Sequence, residues 1–335
     1  MSVIRVALPL PLRQHFDYLL TADQQVQIGS RLRVPFGKRE LIGIAWQLNP
    51  TDHYPLAQLK PVISVIDSQP VIHETLRQLL TFAAEYYHHP LGEVLTAALP
   101  ALLREGKDLA DYQQYAWQLT PAGVQASPAD FKRSARQLAL WQALQDGQVP
   151  ALELQASHSR STLKQLADKN LIEQLTLPLR PYTQRGLKQP ALQLTADQAL
   201  AVTAINQAAE YFQSLLLEGV TGSGKTEVYL QAIAPLLDAG KQVLVIVPEI
   251  GLTPQTLARF QSRFQAPVLC WHSNLTDTER LNCWQQTQAG STAIVIGTRS
   301  ALFLPFARLS LIIIDEEHDQ SLKQQDGFRY HARDL

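Results

Sequence analysis

The chain has 335 residues, enough for two or three domains that each bury a core. Its net charge is −1 with 18% charged residues, so no global basic field marks a nucleic-acid coat and any DNA contact must come from local Lys and Arg patches. Cys270 and Cys283 form no CxxC pair, no apolar run reaches membrane-spanning length, and MSVIRVALPLPL is too short and proline-interrupted for a secretory core; a cytoplasmic protein without membrane partners is expected.

In chain order, residues 1 to about 70 read as short strands. VIRVALPL, SRLRVPFG, LIGIAWQL and LKPVISVI are separated by Gly, Pro and Asn, which predicts a small twisted barrel or sheet. Within it, Phe16, Asp17 and Tyr18 of HFDYLL, Gly37 of PFGK and Lys60 of LKPV combine chemistries that hold a nucleotide. An aromatic ring stacks a base, a carboxylate accepts a sugar hydroxyl, and an ammonium neutralises phosphate. The same aromatics suit the core of a small β domain, and the residues alone leave both readings open. Leu76, Leu79, Leu80, Ala83, Ala84 and Tyr87 then recur at helical spacing, and a second helix is predicted through Val94, Leu95, Ala98 and Leu102.

Between about 110 and 180, Leu138, Trp141 and Leu144 mark one helix, and Leu163, Leu166 and Ala167 another before a short apolar step. Helix, helix and strand suggest a winged helix with Arg160, Thr162, Lys164 and Gln165 facing a duplex, or else a helical spacer with a solvated face. LRPYTQRGLKQPALQLT, 179–195, lacks an apolar period and reads as a linker. Beyond it, apolar runs at 215–217, 243–247, 268–271, 293–296 and 311–314 alternate with helical segments, the pattern of a parallel sheet wrapped by helices. Thr276 with Glu279 predicts a capping box at the start of one of these helices.

Three stretches carry chemistry. LLLEGVTGSGKTEVYL fits GxxxxGK[ST] at Gly219, Gly224, Lys225 and Thr226, with Gly222 and Ser223 inside the loop. Its backbone N–H groups close around phosphate oxygens, Lys225 reaches the β and γ phosphates of ATP, and the Thr226 hydroxyl ligates Mg²⁺. LSLIIIDEEHDQ delivers Asp315 to the C-terminal end of a buried strand to hold the Mg²⁺ shell, with Glu316 next to it to polarise water. QQDGFRYHARD mixes Phe328, Arg329 and Tyr330, the composition of a base-stacking loop or of rings that pack on their own domain.

DEEH resembles the DExH box of superfamily 2 helicases, in which His318 would link the nucleotide site to the rest of the motor. LTADQ resembles their Q-motif, with Gln198 reading adenine. VPEIGLTPQT and GTRSALF, with Thr298 and Arg299, resemble their DNA-contacting motifs. With HSNLTDTER and DGFRYHARDL, the wording is similar to the replication-restart DNA helicases over essentially the whole chain.

That resemblance implies a multidomain α/β protein: a β-rich 3′-end DNA-binding domain over 1–107, a winged-helix domain over 108–180, and a RecA-like motor lobe over 181–335. It implies ATP-driven 3′ to 5′ unwinding in a bacterial monomer that restarts replication. Capture of a nascent 3′ end falls to Phe16, Asp17, Tyr18, Gly37 and Lys60, and coupling of single-stranded DNA to the ATP site to the aromatic loop. Forked and single-stranded DNA, primosome proteins and single-stranded DNA-binding protein are the implied partners. The family continues into a cysteine-rich zinc module and a second lobe with a transition-state arginine, none of which these residues supply. Weak nucleotide binding, negligible unwinding and an exposed sheet edge are therefore expected of this chain. Two alternatives stay open. One is a DNA-structure binding module without turnover; the other is a superfamily 2 double-strand translocase, which needs no 3′-end pocket.

Overall fold

Antiparallel pairing organises the first part of the chain in the computed structural model, which describes residues 2–109, 115–132, 134–151, 154, 157–208, 211–220 and 222–335. Strands β1 (Ser2–Ala7), β2 (Phe16–Leu20), β3 (Arg31–Phe36), β4 (Arg39–Leu48) and β5 (Ser64–Val65) pair in the order β2-β1-β4-β3-β5. Side chains alternate across each strand, so Ile4, Val6, Tyr18, Leu20, Leu32 and Val34 all reach one core. The two ends of this sheet also meet. The Leu19 N–H donates to the Lys60 carbonyl (2.9 Å) and the Leu19 carbonyl accepts from the Val62 N–H (2.9 Å), curling the sheet closed.

Phe36 and Arg39 face each other across a two-residue turn whose first member, Gly37, has φ 61°, as a type II′ hairpin requires. Below the sheet, the fully buried Arg31 guanidinium is gripped by Asp67 (2.7 and 2.8 Å) and by the Leu103 carbonyl (3.1 Å).

Helix α1 (Glu74–Tyr86) follows, its N-terminus capped by His73, whose Nδ1 accepts from the Leu76 N–H. The second predicted helix is split: α2 (Leu91–Ala98) ends at Leu99 and α3 (Ala101–Arg104) begins after Pro100. A residue before proline is driven out of the helical region, and Leu99 sits at ψ 137°.

Residues 109–179 form a second compact unit. It contains β6 (Tyr115–Leu119), α4 (Pro121–Gln125), α5 (Ala135–Ala143), β7 (Val149–Pro150), α6 (Arg160–Asp168) and β8 (Ile172–Thr176), with an antiparallel sheet ordered β7-β6-β8. Leu140, Leu163 and Leu166 anchor its core. Of the polar residues expected to face a duplex, Arg160 and Lys164 are exposed, Thr162 is buried, and Gln165 is bonded to Gln137 (2.8 Å).

Residues 180–335 complete the first unit together with residues 1–108. The expected linker is packed rather than free: the Tyr182 hydroxyl donates to the Lys241 carbonyl (2.6 Å), and Leu187 bridges Phe264. The elements that follow are α7 (Ala196–Gln207), α8 (Lys225–Asp238), β9 (Gln242–Ile246), α9 (Pro254–Arg263), β10 (Val268–Trp271), α10 (Asp277–Gln288), β11 (Ile294–Gly297) and β12 (Leu309–Ile314). Four strands form the predicted parallel sheet in the order β10-β11-β9-β12, buried most deeply at β9 and β11. The capping box at Thr276 and Glu279 is present.

The run 215–217 is not a strand. A strand needs a neighbour for its N–H and C=O groups, and this run pairs with none among the described residues; Leu215 and Leu216 lie exposed. Among the described residues no helix is long and apolar enough to cross a membrane.

Candidate nucleotide site and nucleic-acid surfaces

The glycine-rich loop leads into α8 through Gly222 and Gly224, both at φ 82°, conformations that L side chains rarely adopt. A Cβ on Gly219 would lie 2.6 Å from Ser223 Oγ, and one on Gly224 would lie 2.5 Å from Gln198 Nε2, so both glycines also make room. Lys225, the first residue of α8, reaches back to the Gly219 carbonyl (2.6 Å), which holds its ammonium over the loop. This cradle sits at the N-terminal end of a 14-residue helix, where backbone N–H groups and the helix dipole favour a phosphate.

Gln198 is committed to holding the loop. Its amide oxygen accepts from the Thr195 N–H (2.9 Å) in a capping box, and its NH₂ donates to the Ser223 carbonyl (2.9 Å). These two bonds leave the amide oxygen a second lone pair and the NH₂ a second hydrogen. Glu227, one turn into α8, pairs with Arg263 of α9 and accepts from the Leu192 N–H (3.1 Å), fastening the helix to its surroundings.

Asp315 leaves the end of β12, its N–H bonded to the Ile246 carbonyl of β9 (2.9 Å). Its Oδ1 accepts from the Glu316 N–H (3.2 Å) and lies 3.4 Å from the Tyr229 hydroxyl. Burial and the neighbouring Asp315 raise the Tyr229 phenol well above its ordinary range, so it stays a donor. Tyr229 lies one turn after Thr226 on α8, so its contact with Asp315 brings that part of the helix to the end of β12. A threonine hydroxyl and a carboxylate are hard oxygen donors of the kind Mg²⁺ takes. Glu316 adopts φ 50°, a left-handed conformation that turns the acidic box sharply away from the strand.

His318 is exposed, and its Nε2 lies 3.5 Å from Glu316 Oε2. Glu317 of the acidic box pairs with Arg333 of the following loop.

That loop is closed. Phe328 and Tyr330 are 4% and 2% exposed, stacked on each other at 5.0 Å, with Phe303 edge-on to Tyr330 at 5.1 Å, while Arg329 between them faces solvent. The expectation of rings offered to bases is therefore not met in this arrangement, because the apolar wall of the lobe supplies a better partner than water. Thr298 is buried, and Arg299 bonds to Gln324 Oε1 (2.7 Å), the Ser321 carbonyl (3.0 Å) and Glu249 (3.3 Å). Arg299 thus braces the start of the loop, while the Thr298 backbone bonds to Trp271 and Ala301.

In the N-terminal sheet, strand alternation divides the expected pocket between two faces. Phe16 meets Phe36 edge-on (5.6 Å), Arg39 lies over Phe36 (5.8 Å), and Tyr18 donates to the Pro35 carbonyl (3.1 Å). Burial pushes the Tyr18 phenol up to about 12. Asp17 points the other way and is buried in an ion pair with Arg5 (2.9 and 3.1 Å), to which Asp52 adds a second carboxylate (3.0 Å). Its carboxylate is thus already used. What remains open is the Phe16, Gly37 and Arg39 corner, where a Cβ on Gly37 meets nothing within 4 Å, and the exposed Lys60, whose carbonyl bonds β2.

Tyr229, Arg263 and Arg5 were not singled out in the sequence. Tyr229 was legible from its position one turn after Thr226; Arg5 and Arg263 find their partners only through the fold.

Comparison with known proteins follows the same division. Residues 5–100 match the family described as 3′DNA-binding domain, and residues 195–335 match the DEAD/DEAH box helicase family. The chain is 43% identical to a replication restart protein PriA of Haemophilus influenzae, an alignment covering 100% of this chain and 47% of that protein. It is 30% identical to that of Bacillus subtilis, over 96% of this chain and 49% of the relative. A Synechocystis relative is 48% identical over 52% of the chain. The chain thus spans about half the length of these two full-length matches.

Proposed function

Because this chain resembles replication restart proteins PriA along its whole length and joins a 3′DNA-binding match to a DEAD/DEAH box helicase match, we propose that it is the N-terminal part of an ATP-dependent DNA helicase of replication restart. It recognises stalled or branched forks through the 3′ end of the nascent leading strand and promotes primosome assembly. The observation that carries this reading is the pairing of a phosphate loop at the head of α8 with Asp315 and Glu316 at the end of β12, in one unit with the N-terminal sheet.

In this reading Lys225 and the loop N–H groups hold the ATP phosphates, Thr226 and Asp315 hold Mg²⁺, and Glu316 orients the attacking water. The bound metal supplies charge neutralisation at the transferring phosphoryl group. Phe16, Gly37 and Lys60 take the terminal nucleotide, and Asp17 contributes by fixing Arg5 and the strand. Arg160 and Lys164 meet parental duplex if residues 109–179 act as a winged helix. Translocation from 3′ to 5′, a zinc module, primosome proteins and single-stranded DNA-binding protein as partners, a monomeric state and cytoplasmic location complete the proposal.

A second reading, a DNA-structure binding module without turnover, is favoured for this chain by the exposed, unpaired approach to the phosphate loop, residues 211–220. Fluorescence anisotropy separates these. We expect tighter binding to a fork with a 3′-hydroxyl leading end than to the same fork with a 3′-phosphate, a preference lost in Phe16→Ala and Lys60→Ala. Equal binding to both ends would remove the replication-restart reading and leave a generic motor lobe. ATP turnover stimulated by the fork in the chain as it stands would refute the module reading.

A further inference from the structure

The last turn of α1 lies between a cavity that borders the DNA-end corner at Phe16 and the segment behind the acidic box. On one side, Thr81, Ala84, Glu85 and His89 line a cavity of about 340 Å³ together with Arg5 and Phe16 of the N-terminal sheet. On the other side, Tyr87 holds the segment behind the acidic box. Its hydroxyl donates to Asp334 Oδ2 (2.8 Å) and accepts from the His331 N–H (2.9 Å), and its ring meets Phe328 edge-on (5.8 Å). The His89 ring lies 5.2 Å from the same Phe328. Arg333, between His331 and Asp334, pairs with Glu317, two residues beyond Asp315.

This turn is held under strain. α1 closes with the His89 N–H on the Ala84 carbonyl (2.8 Å) and the His88 N–H on the Glu85 carbonyl (3.1 Å), a termination that places His88 at φ 50° where glycine is usual. A left-handed histidine is disfavoured and persists because its surroundings hold it.

We propose that Tyr87 is a positioning residue of the motor: it ties the aromatic loop and, through Arg333 and Glu317, the acidic box to the α1 cavity, which shares Phe16 with the DNA-end corner of the N-terminal sheet. This rests on the DNA-end reading of that corner. A nucleotide seated against Phe16 shifts the cavity wall and with it the α1 turn, and the Tyr87 hydroxyl transmits the shift because it makes two directed bonds to the 331–334 segment. The buried rings of Phe328 and Tyr330 are then the held state of a loop that the DNA end releases.

The test uses this chain with a single-stranded oligodeoxynucleotide ending in 3′-hydroxyl or in 3′-phosphate. Amide hydrogen exchange is followed in peptides covering 324–334, and anisotropy reports binding. We expect the 3′-hydroxyl strand to speed exchange in 324–334 roughly threefold and the 3′-phosphate strand to leave it unchanged. Tyr87→Phe keeps the ring and removes both bonds; it is expected to bind the oligonucleotide with unchanged affinity while its loop exchanges fast with or without DNA. Asp334→Asn, altered on the loop side, is expected to weaken the response without affecting binding. A 3′-hydroxyl preference with no response in 324–334, or a response that survives in Tyr87→Phe, overturns the inference and leaves the DNA-end pocket standing. Absence of any 3′-hydroxyl preference removes the pocket and the inference with it.

Discussion

The N-terminal sheet and the motor sheet solve the same problem differently. In the first, β2 and the segment before β5 share hydrogen bonds through Leu19, so neither end of the sheet is left bare. In the second, β12 is paired among the described residues with β9 alone; Ile312 is 50% exposed on it, and Leu215 and Leu216 stand in solvent just ahead of the loop they introduce. Apolar alternation is therefore necessary for a strand but not sufficient, since the backbone must also find a partner.

The largest expected effect lies beneath the closed sheet. Asp67→Ala strands the fully buried Arg31 guanidinium, and a loss of about 3–5 kcal/mol is expected in urea unfolding. A loss below about 1 kcal/mol would mean that water reaches this site and that the closed sheet is less sealed than described.

On the motor side, Gly224→Ala forces a side chain into a left-handed position and against Gln198. Strain of about 1–2 kcal/mol is expected to weaken binding of a fluorescent ATP analogue roughly tenfold. Unchanged affinity would show that the loop is as loose as the segment before it. Removing the cap of α10 with Thr276→Ala should cost about 1 kcal/mol in the same unfolding assay, a local effect that does not reach the N-terminal sheet.

His73 gives a pH test of the join between the two regions. Burial lowers its pKa, so its neutral cap on α1 stabilises the fold above the ordinary histidine range. That stability is lost as pH falls through the lowered folded value. His73→Asn, which caps without titrating, should flatten the fall in unfolding midpoint between pH 7 and pH 5. An identical slope would assign the acid sensitivity elsewhere. The smallest effect is expected at the open edge: Ile312→Lys should change stability by less than about 0.5 kcal/mol while reducing light scattering on storage. A core-sized loss there would show that β12 is covered.

Much of this was legible in the residues. Alternation located β1 to β4, the runs at 243–247 and 311–314 located the sheet, and the phosphate loop and Asp315 announced themselves by spacing. Other features were legible in principle but outweighed: Pro100 marks the break after α2, although the leucine stripe runs through it. What was hidden depends on distance along the chain. Asp17 meets Arg5 across a strand pair, and Tyr87 meets His331 and Asp334 from the other end of the molecule, and no local period encodes such contacts. The packing of Phe328 and Tyr330 on the lobe was hidden on the same ground, since composition shows that a ring is sticky but not which surface reaches it first.

The bond between Tyr87 and His331 spans 244 residues. At a synthesis rate of about 5–20 residues per second, roughly 10–50 s separate the emergence of α1 from the ribosome and the arrival of its partner. Through that interval the face that will receive Phe328, beside the exposed rings of Phe82 and Tyr86, is uncovered while the whole 109–179 unit is being made. The order of translation thus makes the N-terminal sheet a waiting template, and nascent-chain chaperones would meet it before the motor lobe does.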